Sequence, residues 1–139
     1  CARWLARGMP VMLFPEGTSS DGTRVLPFRT ALFGVAQLRR NDKPIVVQPV
    51  AIAYTRLDGI PLGRYWRPLF AWFGDLDLVP HLWQMVCLGE TEAVVTFFPP
   101  VDIDQLGDRK KLAEFCFRQV SLGVQAANAG RDELLPRLA

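Results

Sequence analysis

The residues best able to do chemistry lie between Phe14 and Arg29. The run is Phe14-Pro15-Glu16-Gly17-Thr18-Ser19-Ser20-Asp21-Gly22-Thr23, followed by Arg24 and by Pro27-Phe28-Arg29. Glu16 can accept hydrogen bonds from a bound hydroxyl or hold an arginine in place; the plainer role is a loop carboxylate accepting backbone N–H bonds. A guanidinium binds phosphate or carboxylate in a two-pronged way, which makes Arg29 and Arg24 candidates for an anionic ligand. Arg24 also fits a solvated turn residue, and the whole run also fits a turn with capping residues. Asp21-Gly22 is a turn signal by itself. The run is neither a G-x-x-x-x-G-K-[ST] phosphate loop nor a dinucleotide fingerprint. A G-x-S-x-G nucleophile elbow, which a hydrolase would want, is missing.

The flanking segments must position this loop. Val11-Met12-Leu13-Phe14 is short, apolar and non-alternating, which predicts a strand over 10–14 covered on both faces. Residues 1–8 read as the tail of a helix closed by Gly8. Residues 30–40, with Ala31, Leu32, Phe33, Val35, Ala36 and Leu38, predict a largely buried helix whose last turn carries Arg39 and Arg40. Its positive end would add to Arg29 in attracting an anion. Residues 45–53 predict a second strand, interrupted for pairing at Pro49 by a bulge or an unpaired edge. Strand, helix and strand in this order predict a parallel βαβ unit with a right-handed crossover, and ligands bind beyond the carboxyl ends of such strands.

Beyond residue 53 the chain predicts an irregular stretch over 54–77, a helix over 78–88 and a third strand over 90–98, apolar on both faces. An Asp-rich connection over 101–107 leads to a long helix over 108–127, with Asp108 as N-cap and a Leu112, Cys116, Val120, Val124 stripe. Residues 130–139 are weakly patterned and expected to fray. The 54–77 stretch interleaves Tyr54, Tyr65, Trp66, Phe70, Trp72 and Phe73 with Arg56, Arg64 and Arg67. That suits a bilayer interface, or else rings packed over a sheet edge with solvated arginines. Arg109, Lys110 and Lys111 sit at the unfavourable end of their helix, either for an anionic partner or as a solvated face. His81, the single histidine, reads as a packed or capping residue.

The 139 residues are 50% hydrophobic and 22% charged, enough for one globular domain, here 1–139. A net charge of +2 and the lack of any binding signature argue against nucleic acid. Cys1, Cys87 and Cys116 form neither a C-x-x-C nor an even set, so no disulfide frame or metal site is expected. Cys87 and Cys116 lie in apolar runs and predict buried, reduced thiols, which fits a cytosolic or cytosol-facing setting. No stretch reaches the roughly 18 to 20 apolar residues that span a bilayer.

Phe14-Pro15-Glu16-Gly17-Thr18, with Pro27-Phe28-Arg29 and Val46-Val47-Gln48-Pro49-Val50-Ala51-Ile52, resembles the PlsC-like glycerolipid acyltransferases over roughly residues 9–100. Ser19 and Ser20, Trp72-Phe73-Gly74-Asp75 and Val79-Pro80-His81-Leu82-Trp83 resemble a bacterial branch that holds both lysophosphatidate and lyso-ornithine-lipid acyltransferases. Ser19 stands where the family usually has Arg, which moves the expected phosphate contact to Arg24 and Arg29. The resemblance implies an α/β fold of the glycerol-3-phosphate acyltransferase kind, a mostly parallel or mixed central sheet flanked by helices. It also implies transfer of a fatty acyl group from acyl-CoA or acyl carrier protein to a lysolipid hydroxyl, without metal or redox cofactor. Glu16, Gly17, Thr18, Arg24 and Arg29 would bind the acceptor. The implied setting is the cytoplasmic face of the cell membrane, peripheral or anchored through a preceding segment.

The family's catalytic His-x-x-x-x-Asp, a general base with its orienting acid, precedes the Phe-Pro-Glu-Gly block. His81 follows the block and has Val86 five residues on, so this chain carries no catalytic dyad. It reads as the carboxy-terminal portion of a longer enzyme; a non-catalytic lipid or phosphate binder is the alternative. The 139-residue chain alone is therefore expected to show no acyl transfer above blank, measured as thiol release from acyl-CoA; turnover well above blank would remove the dyad from its assigned role.

Overall fold

A computed structural model of the chain describes residues 2–71 and 77–131. The first helix, α1 (Ala2–Ala6), closes at Gly8, whose φ of 77° suits the left-handed position after a helix and whose N–H donates to the Leu5 carbonyl at 2.9 Å. Residues 9–14 run on without forming a strand, and Met12 and Phe14 face solvent. The strand expected over 10–14 is thereby corrected. Apolar composition favours an extended backbone, but a strand also needs a neighbour to satisfy its N–H and C=O groups, and none of the described strands lies alongside.

The segment after the loop is a 3₁₀ helix, Thr30–Gln37, instead of an α-helix over 30–40. Thr30, Gly34 and Val35 are all weak α-formers. With three residues per turn, Phe33 and Ala36 fall in one line and are the buried pair, so burial does not run round the helix as expected. Arg39 and Arg40 leave the helix for a hairpin: β1 (Arg39–Arg40) pairs antiparallel with β2 (Lys43–Pro44). The turn residues Asn41 and Asp42 have φ of 49° and 61°, as a primed two-residue turn requires.

The main sheet contains β3 (Val50–Leu57), β4 (Ile60–Pro61) and β5 (Thr91–Phe97) in the order β4-β3-β5, and every strand pair among the described residues is antiparallel. The expected parallel βαβ unit of 10–14 and 45–53 is corrected on this point. The tight Asp58-Gly59 turn and the return of β5 supply both neighbours of β3. The second strand also begins later than predicted and extends further. Pro49 sits just ahead of the ladder, where its missing N–H costs nothing and its carbonyl accepts from Phe98 at 3.0 Å. The irregularity in register comes at Thr55, between Tyr54 and Arg56.

The remaining elements follow the sequence closely. A 3₁₀ turn, Arg67–Phe70, precedes α2 (Leu78–Cys87). The Asp-rich connection contains a one-turn helix, α3 (Ile103–Leu106), capped by the Asp102 side chain. The long helix α4 (Arg109–Asn128) is capped by Asp108, whose Oδ1 accepts from the N–H groups of Lys110 and Lys111 at 2.7 and 2.9 Å. Those two backbone bonds hold the Asp108 carboxyl below the ordinary carboxylate range.

α4 carries the core. Leu112, Ala113 and Cys116 pack with Phe33, Ala36 and Val101; further along, Val124 packs with Ala51 and Phe98. Burial pushes the Cys116 thiol from 9.0 up to about 11. Cys87 is exposed, contrary to expectation, because α2 buries only His81. The far face of the sheet is open, with Ile52 52% and Phe97 55% exposed, so β3 and β5 are covered on one face and not on both. The architecture is mixed α/β. Cys1, Trp72-Phe73-Gly74-Asp75 and the end of the expected frayed tail lie outside the described residues.

Gly123 sets the closeness of α4 to the sheet: a Cβ there would lie 2.7 Å from the Ala51 Cβ and 2.9 Å from the Phe98 ring. In an exposed helix Gly→Ala stabilises by about 1 kcal/mol. Here the sign should reverse, because overpacking costs about 1–3 kcal/mol. Urea unfolding of Gly123→Ala is expected to show net destabilisation; a rise in stability would mean the helix sits further from the sheet.

Candidate functional site

The segment from Pro15 to Arg29 is a closed loop with two ends of different character. At its base the Arg29 N–H donates to the Pro15 carbonyl at 2.8 Å, so the chain returns to where it left. One step inside, Glu16 Oε2 accepts from the Leu26 N–H at 2.8 Å, ten residues on. This is the plainer of the roles the sequence allowed for Glu16, a carboxylate spent on backbone, and it braces the loop across its width. Two apolar residues moor the loop to the protein. The Phe28 ring stacks on Phe33 at 6.1 Å and meets Phe117 edge-on at 5.5 Å, while Val25 packs on the Ala51, Phe98 and Val124 cluster.

Arg29 lies across Gly17. A Cβ on Gly17 would fall 2.6 Å from Arg29 Nε, and Gly17 has φ of 66°. Only glycine meets both demands, positive φ and no side chain under the guanidinium. Glu16, Gly17 and Arg29 are thus brought together at the base, with Thr18 exposed beside them in sequence. The expected contribution of an α-helix dipole changes form. Arg29 is the residue before a 3₁₀ helix and makes no side-chain cap.

Arg24 belongs to the other end. The tip is built on Asp21, whose Oδ1 accepts from the Thr23 hydroxyl at 2.6 Å and from the Thr23 N–H at 3.0 Å, while Ser20 Oγ accepts from the Gly22 N–H at 3.3 Å. The Thr23 bonds hold the Asp21 carboxyl below its ordinary value, and Arg24 and Arg64 add their charges in the same direction. Sequence spacing could not find the influence of Arg64, since it follows Asp21 by more than forty positions.

His81 sits in the first turn of α2, 7% exposed, its backbone N–H on the Asp77 carbonyl at 3.2 Å, a packed histidine as expected. Its Nε2 is buried without a partner among the described residues. Of the aromatic stretch, Tyr54 stacks on Phe70 at 5.2 Å, while Tyr65 and Trp66 form an exposed edge-to-face pair at 5.4 Å. Lys110 and Lys111 are exposed, as a solvated face would be. The loop therefore offers cations, a hydroxyl and backbone N–H groups, which can hold and orient an anionic head group. It holds no histidine.

Residues 1–53 match the family model described as Acyltransferase. The chain is 46% identical over 134 residues to the lyso-ornithine lipid O-acyltransferase of Brucella abortus, covering 94% of this chain and 50% of that protein. It is 45% identical over 121 residues to the protein of that name in Rhizobium meliloti, covering 85% of this chain and 41% of the relative. The 1-acyl-sn-glycerol-3-phosphate acyltransferase of Neisseria gonorrhoeae is 34% identical over 110 residues, covering 79% of this chain and 39% of the relative. The chain spans half or less of the length of these relatives. No solved structure matches it.

The geometry at Gly17 gives a direct test of the loop. Gly17→Ala should cost about 1–2 kcal/mol through the left-handed backbone alone and should push the Arg29 side chain off the base. Chemical denaturation and amide exchange of the Arg29 N–H are expected to show lower stability and faster exchange; no change in either would mean that the loop does not close across Gly17.

Proposed function

The chain belongs to the PlsC-like acyltransferase family, and from that premise we propose that the protein carrying it transfers a fatty acyl group from a thioester donor, acyl-CoA or acyl carrier protein, to the hydroxyl of a lysolipid in membrane-lipid synthesis. The carrying observation is the closed 15–29 loop, which presents Arg29 over Gly17 at its base and Arg24 at its tip. Of the possible acceptors, lyso-ornithine lipid is supported by the higher identity to enzymes of that name. Lysophosphatidate is the second reading, supported by the Neisseria relative. An ornithine carboxylate and a glycerol phosphate are both two-oxygen acceptors for a guanidinium.

In the proposed reaction the acceptor hydroxyl attacks the thioester carbonyl. The new C–O bond forms as the C–S bond breaks, and the hydroxyl proton leaves through a general base to the departing thiol. That base would be the histidine of a His-x-x-x-x-Asp pair outside this chain. The residues here bind and orient: Arg29 and Arg24 on the anionic group, Thr18 as a hydroxyl partner, Gly17 as the position that lets the Arg29 side chain lie against the backbone, and Glu16 as the brace that keeps these in register. Orientation of this kind contributes by holding the hydroxyl near the thioester.

The same proposal places the protein at a membrane surface on the cytoplasmic side, since a lysolipid must be taken from a bilayer. Exposed Tyr65, Trp66 and Trp83 support this reading, as rings suited to headgroup depth. Among the described residues no helix is long and apolar enough to cross a membrane. A glycerol-3-phosphate acyltransferase-like fold with a mixed central sheet is proposed for the complete domain.

Labelled acyl donor supplied with each lysolipid to the full-length protein tests the proposal. Wild type is expected to acylate lyso-ornithine lipid. Arg29→Ala should lower kcat/KM for the acceptor about 10- to 100-fold, the loss of a charge-assisted bond worth about 1.5–3 kcal/mol. Acylation of lysophosphatidate alone would select the second reading. No acylation of either would leave a lipid or anion binder.

A further inference from the structure

We propose that the cleft between α1 and the β1–β2 hairpin binds the phosphate end of the donor's pantetheine arm, the group that acyl-CoA and acyl carrier protein share, with Arg3 and Arg40 as its cationic partners. That the ligand is a thioester donor rests on the proposed function; the cleft and its charges are features of the fold alone.

The cleft has a volume of about 300 Å³. Half-buried Leu5 and Ile45 form its floor with Leu38, and exposed Arg3, Arg39 and Arg40 form its rim. Gly8 lets the helix and the hairpin close on each other. A Cβ there would fall 2.6 Å from Arg40 Nη2, so the guanidinium lies against the backbone that ends α1. The 3₁₀ helix joins this cleft to the base of the 15–29 loop. Arg29 stands just before it and Leu38 just after it, with eight residues between that span about 16 Å at about 2 Å each. In the proposed reaction the thioester meets the acceptor hydroxyl near that base. The pantetheine arm is the long chain that separates the thioester from its phosphate. A phosphate held at Arg3 and Arg40 leaves the arm to run along the 3₁₀ helix toward Arg29.

The charges at this cleft are set against one another. Arg40 stands directly opposite Lys43 in the hairpin ladder, where like charges destabilise. Arg7 follows Arg3 by four positions, one helical turn on, a second like-charge pair. Asp104 neutralises Arg39 at 2.8 Å, but among the described residues no carboxylate bridges Arg3, Arg7, Arg40 or Lys43. A merely solvated surface would gain stability from a carboxylate at any of these positions. An anionic ligand relieves the same repulsion, and a guanidinium takes a phosphate through two parallel N–H bonds. The apolar floor suits the hydrocarbon part of the arm, which inorganic phosphate would leave uncovered. The site is also concave, and a planar bilayer surface reaches the rim but not the floor.

The test uses the full-length protein as wild type, as the double variant Arg3→Gln with Arg40→Gln, and as Arg3→Lys with Arg40→Lys. Donors are acyl-CoA, acyl carrier protein and acyl-pantetheine, which has the arm but no phosphate. In the Gln variant KM for a phosphorylated donor should rise about tenfold or more, with kcat and acceptor KM within about twofold. KM for acyl-pantetheine should be the same in wild type and variant, and the Lys variant should regain most of the affinity. A rise with acyl-CoA alone, or with the carrier protein alone, supports the site and names the source of the phosphate. Removal of like charge should leave the urea midpoint equal or higher. A lower midpoint makes the arginines structural, and an equal rise with acyl-pantetheine removes the phosphate contact; either overturns the proposal. Unchanged donor KM overturns it too, and if binding to phosphatidylglycerol vesicles is lost the cations belong to the bilayer. Calorimetric binding of CoA separates this site from the acyl-transfer reading. An inactive wild type that binds CoA through Arg3 and Arg40 overturns acyl transfer and leaves the site standing; one that binds none overturns both.

Discussion

The seating of α4 on one face of the β3–β5 sheet is the contact on which the other features depend. It is close because position 123 has no side chain, so Ala51 and Phe98 reach the helix backbone. The same helix, two to three turns earlier, offers Leu112 and Cys116 to Phe33 and Ala36 of the 3₁₀ helix. A single helix therefore fixes the sheet at one end and the segment that follows the loop at the other. Interiors pack at near-crystalline density, so an element held at both ends has little freedom to shift.

The 15–29 loop inherits its geometry from that frame. Phe28 joins one core cluster and Val25 the other, so the loop is moored to both ends of α4 through apolar contacts. Its internal bonds then do local work: Glu16 to Leu26 across the middle, Arg29 to Pro15 at the base and Asp21 to Thr23 at the tip. A net charge of +2 on the whole chain gives little long-range attraction for an anion. Under the proposed function, recognition of a head group would come from the placement of Arg29 and Arg24, which the mooring and bracing of the loop set.

One oxygen of Glu16 makes the backbone bond that the sequence allowed for it. Glu16 was open to roles on a ligand, on an arginine or on backbone, and its carboxylate bonds the Leu26 N–H. A partly buried amide without a partner costs about 1–3 kcal/mol, so the brace has value whatever the loop binds. Arg29 lies over Gly17, where any side chain would displace it.

Much was determined by the sequence alone. The acyltransferase resemblance, the Gly8 cap of the first helix, the α2 and α4 helices, the Asp108 cap and the packed state of His81 were all legible, because periodicity, capping chemistry and motif spacing are local. The tertiary structure alone decided strand direction, since an apolar run such as Val11–Phe14 states that it is extended but not what pairs with it. It also decided which strand faces are covered, because one helix can seat on only one side of β3 and β5. The 3₁₀ form of Thr30–Gln37 was not legible, as the same apolar residues fit either helix and the neighbouring hairpin at Asn41-Asp42 claims Arg39 and Arg40. The bonds of Glu16 to Leu26 and of Arg67 to Asn128, and the lie of Arg29 over Gly17, were also beyond it, because each joins residues with no fixed spacing and only the packed fold brings them together.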